Sequence, residues 1–476
     1  MNFVAFDIAL LIIFVILIST FLYTRRKNLK REGLLYLYKT TWGMKLIDKV
    51  GKKYKKTLDV LSYVSITIGY ILMATMLYML GKIIYIYIAY PAVVRAIKVP
   101  PITPLVPYLP QAFKLDFLPP FYFIYWIVIL AIIAITHEFM HGIFMRRYDI
   151  KIKSTGFGFF PFFFPVFLAA FVEQDEKSMN KSKNFNQMAV LSAGTFANVI
   201  TAILFFAVIW LFFISSFMSA GVQFNTYSYS AVGLSSIIWM NGVSLNNPTY
   251  EQLVNLSKPE GLDELKTSNR TFLINTAGLN EQTGEKGYLF LYDNAPAIKQ
   301  DIQGAIVKIN GENITNWVSF SDELSKYSPG QKINITTIDN DELKEYSIVL
   351  AENPQNSSKA FIGVGYLEQS RSGVLGKIIT WLSSFKDPSL YYSPKYEAAL
   401  FIYDLLWWLV LISISVALMN MLPMGIFDGG RFFYLTILSL TKSEKKAKLW
   451  FKISTNFLLF LFFVLMVLWG ISFFVK

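Results

Sequence analysis

Six stretches of the 476-residue chain, near 4–23, 66–90, 121–145, 187–218, 398–424 and 450–474, are long and apolar enough to cross a bilayer. About 20 helical residues span a hydrocarbon core. Inside that core each backbone N–H and C=O must be satisfied within the chain, and a helix does this segment by segment. The expected fold is therefore a polytopic α-helical membrane protein with about six transmembrane helices. The chain is 54% hydrophobic, above the roughly 45–50% of soluble domains. The first run has no basic stretch before it, and Arg25, Arg26 and Lys27 follow it. That pattern reads as an uncleaved anchor with its N-terminus outside rather than a signal peptide.

The net charge of +12 invites a nucleic-acid reading, but its distribution follows the spans. Twelve Lys/Arg fall in 24–65, seven in 146–186 and five in 441–452, all on one side if the spans alternate. The other side carries three in 91–120, and 221–396 holds fourteen Lys/Arg against eighteen Asp/Glu, a net of −4. Excess Lys/Arg marks cytoplasmic loops beside anionic lipid. The partner of this charge is the lipid bilayer and not nucleic acid. Residues 221–396 are then expected outside, which also suits the sequons at Asn255, Asn269, Asn313, Asn334 and Asn356.

Four parts follow. Residues 1–120 hold the first helices and a basic connection, with a further helix near 42–60. Residues 121–220 form the first half of a membrane core. Within the next connection, TGFGFFPFFFPVFLAAF (155–171) carries two prolines and two glycines. It is too short and broken to span, and it reads as a re-entrant loop. Residues 221–396 form a β-rich extracytoplasmic insert with alternating runs such as 287–292, 304–311 and 332–338. In it, IIWMNGVSLNN (237–247) and IVKINGENITN (306–316) share an apolar lead and an Asn-Gly turn at an offset of 69 residues. The second copy resembles a PDZ domain over about 284–352, with a weaker PDZ-like copy before it. Residues 397–476 complete the core.

Only two histidines occur in the chain, and both lie in HEFMH (137–141), inside an apolar span. A charge at a helix centre in the bilayer costs about 2.5–3.5 kcal/mol on insertion scales, so three polar groups there need a purpose. Positions i and i+4 share a helix face. His137 and His141 can thus bind one ion, with Glu138 beside them to act on water, as in H-E-x-x-H hydrolases. Catalytic zinc takes three protein ligands and a water. With no cysteine in the chain and no third histidine, the remaining ligand must be an oxygen. The fifth span is broken by Asn420, Pro423 and Asp428 at the end where HEFMH also lies. Asp428, in a glycine-rich turn, is the expected third ligand.

These residues resemble the site-2 protease family of intramembrane zinc metalloproteases. The match lies in His137-Glu138-Phe139-Met140-His141 and in Asn420-x-x-Pro423-x(4)-Asp428-Gly429. AGTFAN (193–198) is similar to the family's A-G-P-x-x-N element, and AAFVEQDE (169–176) to the strand after its re-entrant loop. Met140, Thr195 and the pair Gly425-Ile426 depart from the usual pattern without removing a catalytic group.

The resemblance implies Zn²⁺ held by His137, His141 and Asp428, with Glu138 as general base and Asn420 holding the substrate near its scissile carbonyl. It implies hydrolysis within transmembrane segments of other membrane proteins, in regulated intramembrane proteolysis. Those substrates would be trimmed beforehand by another protease, with the insert as a size filter. The edge of 169–173 is expected to pair with an unwound substrate. The membrane is expected to be a prokaryotic cell membrane, with the active site towards the cytoplasm. A protease of soluble proteins is a weaker alternative, because that class lacks the second signature. A non-catalytic zinc-binding scaffold with PDZ-like modules would have no need of Glu138.

Overall fold

The computed structural model describes residues 3–32, 35–97, 100–101, 105–115, 118–159, 168–283, 286–339, 342–368 and 373–472. They form two compact units, 1–212 with 400–476, and 213–399. The first half contributes helices α1 (Phe3–Thr24), α2 (Met44–Lys53), α3 (Lys55–Ala89), α4 (Pro91–Ile97), α5 (Leu109–Ala112), α6 (Phe123–Arg147), α7 (Glu176–Lys181) and α8 (Asn184–Ser216). The insert adds α9 (Tyr250–Leu256), α10 (Thr276–Asn280), α11 (Pro296–Lys299), α12 (Trp317–Leu324) and α13 (Gly373–Leu382). The chain ends with α14 (Ala398–Asn420), α15 (Asp428–Thr441) and α16 (Glu444–Ile471). Among the described residues six helices, α1, α3, α6, α8, α14 and α16, are long and apolar enough to cross a membrane. They correspond to the six runs read from sequence.

Two connections that look unrelated in sequence join in one antiparallel sheet. Strands β1 (Leu29–Glu32), β2 (Leu35–Thr40), β3 (Ile152–Phe159) and β4 (Leu168–Gln174) pair in that order. Polar contacts lock the sheet across its strands: Lys39 Nζ donates to Glu173 at 2.7 Å, and Ser154 donates to the same carboxylate. The expected helix near 42–60 is two helices, α2 and the start of α3. The basic segment before them is partly the β1–β2 hairpin rather than a plain loop. Of the expected re-entrant loop, residues 160–167 lie outside the described residues, and its flanks are β3 and β4. Ion pairs from Arg146 to Asp48 (2.5 Å) and from Arg147 to Asp59 (2.5 Å) hold the end of α6 against α2 and α3.

At its other end α6 begins without a side-chain cap of its own. Asp7 of α1 supplies one. Its carboxylate accepts from the N–H of Phe123 (2.7 Å) and Ile124 (3.0 Å) and from the Tyr108 hydroxyl. Asp7 is 1% exposed. A carboxylate is stabilised there because the first amides of a helix point outward unpaired and carry its positive dipole end.

The insert contains two hydrophobic cores. One packs Val222, Ile306, Ile309, Ile333, Ile335 and Ile348; the other packs Val232, Met240, Leu253, Leu265, Ile274 and Leu289. Each belongs to a copy of the sequence repeat. In both, an Asn-Gly turn has positive φ at both residues, Asn241/Gly242 at 48° and 95° and Asn310/Gly311 at 47° and 89°. That is the type I′ geometry which Asn-Gly favours. A short helix closed by a capping box follows in each, α9 at Thr249 and α12 at Asn316. An antiparallel strand pair completes each copy, 262–266 with 271–275 and 332–339 with 342–349.

The boundary between the copies differs from the sequence reading. Strand Tyr288–Asp293 pairs with Tyr229–Gly233 and Thr271–Asn275, in the sheet of the first copy. The sheet of the second copy recruits Phe217–Val222 and Leu390–Pro394, which pair with each other where the chain enters and leaves the insert.

Candidate metal centre

α6 presents His137 and His141 on one buried face, as their four-residue spacing requires. Their Nε2 atoms lie 3.0 Å apart. Asp428 is the first residue of α15, which starts after the tight turn 421–427. Its Oδ2 is 3.4 Å from Nε2 of His137 and 3.2 Å from Nε2 of His141. Two signatures nearly 300 residues apart in sequence thus converge on one point.

The turn depends on small residues. A Cβ on Gly429 would sit 2.4 Å from the Met421 carbonyl carbon, and one on Gly430 would sit 2.1 Å from the Met424 oxygen. The first turn of α15 is also tied down by Arg431, whose guanidinium donates to Asn180 (2.7 Å) and Gln187 (3.3 Å) and pairs with Glu176 (3.4 Å).

The donor set fits a divalent cation. His141 Nδ1 lies 2.7 Å from the carbonyl oxygen of Val190. A carbonyl only accepts, so this ring carries its proton on Nδ1 and presents a lone pair at Nε2. Zinc–ligand bonds of about 2.0–2.1 Å in a tetrahedron place ligand atoms about 3.3–3.4 Å apart. The three separations of 3.0, 3.2 and 3.4 Å lie close to that. Room for the ion comes from a residue that sequence reading passed over. A Cβ on Gly194 of α8 would stand 2.4 Å from His141 Nε2 and 2.5 Å from His137 Nε2. Its signal was the glycine of AGTFAN, quoted for the resemblance but given no role.

Glu138 belongs to the same cluster, with a ligand-type atom within 4.8 Å of the two histidines. Its Oε2 accepts from the N–H of Val172 at 2.9 Å. Val172 lies on β4, the outer strand of its sheet. A small cleft beside Glu138, about 20 Å³, is lined by Trp42, Phe139, Thr155, Gly156 and Val172. That is room for about one water.

Asn420 is the last residue of α14. It lines a separate, mostly apolar cavity of about 470 Å³ with Leu109, Trp408, Ile412, Val416 and Phe427. Among the departures from the resemblance, Thr195 leaves α8 unbroken and donates to the Ser192 carbonyl. Met140 packs at the margin of the core around Phe144 and Ala193.

Comparison with known families adds one finding. The family model for peptidase family M50 matches residues 125–461, 337 of 476 residues, and so includes both signatures and the whole insert. No curated protein matches the chain.

Proposed function

The chain belongs to peptidase family M50, the site-2 protease family, and on that premise we propose that it is an intramembrane zinc metalloendopeptidase cutting transmembrane segments of other membrane proteins. Peptidases of this family depend on a metal, and the six apolar helices make this chain an integral multi-pass membrane protein. The observation that carries the proposal is the convergence of His137, His141 and Asp428 within 3.4 Å.

Those three residues would hold the ion, which when bound supplies Lewis acidity and makes water a stronger nucleophile at neutral pH. Glu138 acts as general base and acid. It takes a proton from the attacking water and returns it to the leaving amine. The Val172 N–H keeps one carboxylate oxygen occupied, which leaves the other for this exchange. Asn420 lines an apolar cavity large enough to admit a peptide segment, where its carboxamide would orient a substrate carbonyl. A substrate helix hides its carbonyls in its own hydrogen bonds, so it must unwind before attack. An extended segment can then pair along the outer side of β4, beside the Val172 N–H that Glu138 holds.

The sheet that joins 29–40 to 152–174 gathers the most basic connections at the end of α6 that carries HEFMH. This supports a site towards the cytoplasmic side and an outer insert; the membrane in this reading is that of a prokaryotic cell. The repeated insert suits a pair of PDZ-like modules that exclude substrates not yet trimmed by another protease.

Glu138→Gln tests the assignment. The variant should retain one equivalent of zinc and lose cleavage of a transmembrane substrate by at least a hundredfold. Retained cleavage would refute the role of Glu138 and favour a non-catalytic zinc scaffold.

A further inference from the structure

Asn198 of α8 is fully buried, and its carboxamide lies against His137, with Nδ2 3.1 Å from Nδ1 of the ring. Its Oδ1 is buried with no hydrogen-bond partner among the described residues. A carboxamide can exchange its oxygen and nitrogen by a half-turn about its last side-chain bond, and its surroundings decide between the two. With nitrogen towards the ring, Asn198 donates to Nδ1. His137 would then carry its proton on Nε2, aimed at His141 Nε2 and Asp428, where a cation could not bind. With oxygen towards the ring, Asn198 accepts from Nδ1–H, and Nε2 becomes a lone-pair donor like that of His141. In the second orientation the oxygen gains the ring as a partner and the amide nitrogen takes its former place, so it is the need for a lone pair at Nε2 that decides between the two.

We infer that Asn198 is a positioning residue for the metal centre: its side-chain oxygen accepts the Nδ1 proton of His137 and fixes the ring as an Nε2 ligand. The two histidines are thus set by different means. A backbone carbonyl, which cannot be mutated away, holds His141, whereas His137 relies on one replaceable side chain. The centre is asymmetric in consequence: the hydrogen bond behind His137, unlike the one behind His141, can be removed by a single side-chain substitution. This inference rests on the metal reading of the site.

Two measurements on the full-length protein in detergent test it. The first is zinc affinity by competition with a chromophoric chelator. Asn198→Leu removes the acceptor and should weaken binding by about 10–100-fold. Asn198→Asp, which can only accept, should bind at least as tightly as the parent. Affinity that is unchanged or raised in Asn198→Leu, or lost in Asn198→Asp, overturns the inference. The second uses the fact that the chain has only two histidines. In ¹⁵N-histidine-labelled, metal-free protein, at a pH where both rings are neutral, both should carry the proton on Nδ1. An Nε2–H tautomer at His137 overturns the inference. His137→Ala separates this from failure of the premise: if that variant binds zinc as the parent does, the metal centre itself is misassigned.

Discussion

Replacing Gly194 by alanine sets two effects of opposite sign against each other. The added methyl carbon would lie 2.4 Å from His141 Nε2 and 2.5 Å from His137 Nε2. Ordinary contact needs about 3.4 Å, so each ring must retreat by roughly 1 Å. The methyl would also crowd any ion that the two nitrogens share at about 2.0–2.1 Å. Both rings are buried, and His141 is held at Nδ1 by Val190, so neither has room to yield. The loss of zinc affinity should exceed the 10–100-fold typical of changes behind the ligands. Yet Gly194 lies inside the helix Asn184–Ser216, where alanine is intrinsically better by about 1 kcal/mol. The clash exists with or without metal and costs about 1–3 kcal/mol, so the metal-free variant should stay helical with a heat stability at or somewhat below that of the metal-free parent, while holding well under one zinc and cleaving at background. Metal content by atomic spectroscopy, circular dichroism and cleavage of a reconstituted transmembrane substrate read the three quantities. A Gly194→Ala protein that keeps one zinc and near-parent activity would refute the location of the centre. One that loses zinc only because it unfolds would refute the steric argument.

Asp7→Ala should lower stability by about 2 kcal/mol or more, since it strips the buried cap from α6 and leaves two amides unpaired; an unchanged unfolding midpoint in detergent would contradict the capping role. Arg431→Met releases the first turn of α15 from Asn180 and Gln187, and zinc affinity should fall by about tenfold with the fold intact. Equal affinity would show that the turn 421–427 holds Asp428 unaided. Replacing 221–390 by a short linker should let substrates with bulky outer portions be cleaved; unchanged size selectivity, with activity retained, would remove the filter role of the insert.

The spans and the clustering of the two signatures were legible because each rests on a simple rule. Bilayer length is a property of one run, and the spacing within HEFMH puts its two histidines on one helix face. Asp428 was reachable because the chain offers no third histidine and no cysteine. What escaped depends on partners far away in sequence. The hairpin 29–40 became a sheet only through pairing with 152–159, more than a hundred residues on, and a strand's edge does not announce its partner. Strand 288–293 shows the same dependence: its alternation is visible in sequence, but its pairing with 229–233 and 271–275 is not. Asp7 gives no local signal within its apolar run, since its meaning lies in the amides of Phe123 and Ile124. Gly194 carries its information as a missing side chain, which no local pattern exposes.

The same long-range dependence explains how the centre is held. Its three proposed ligands come from two helices, and the space beside the two histidines is left by a third. These pieces share one core, in which Phe144 of α6, Ala189 and Ala193 of α8, Met421 of the turn and Phe432 of α15 are buried together. A ligand separation set by packed side chains resists change, because interiors this dense transmit a displacement instead of absorbing it. The Val190 carbonyl at His141, Asn198 at His137 and Arg431 behind Asp428 then fix the orientation of each donor within that frame. Geometry suited to a cation is thus built by packing and by a second layer of hydrogen bonds, so metal binding need not supply the energy to assemble its own site.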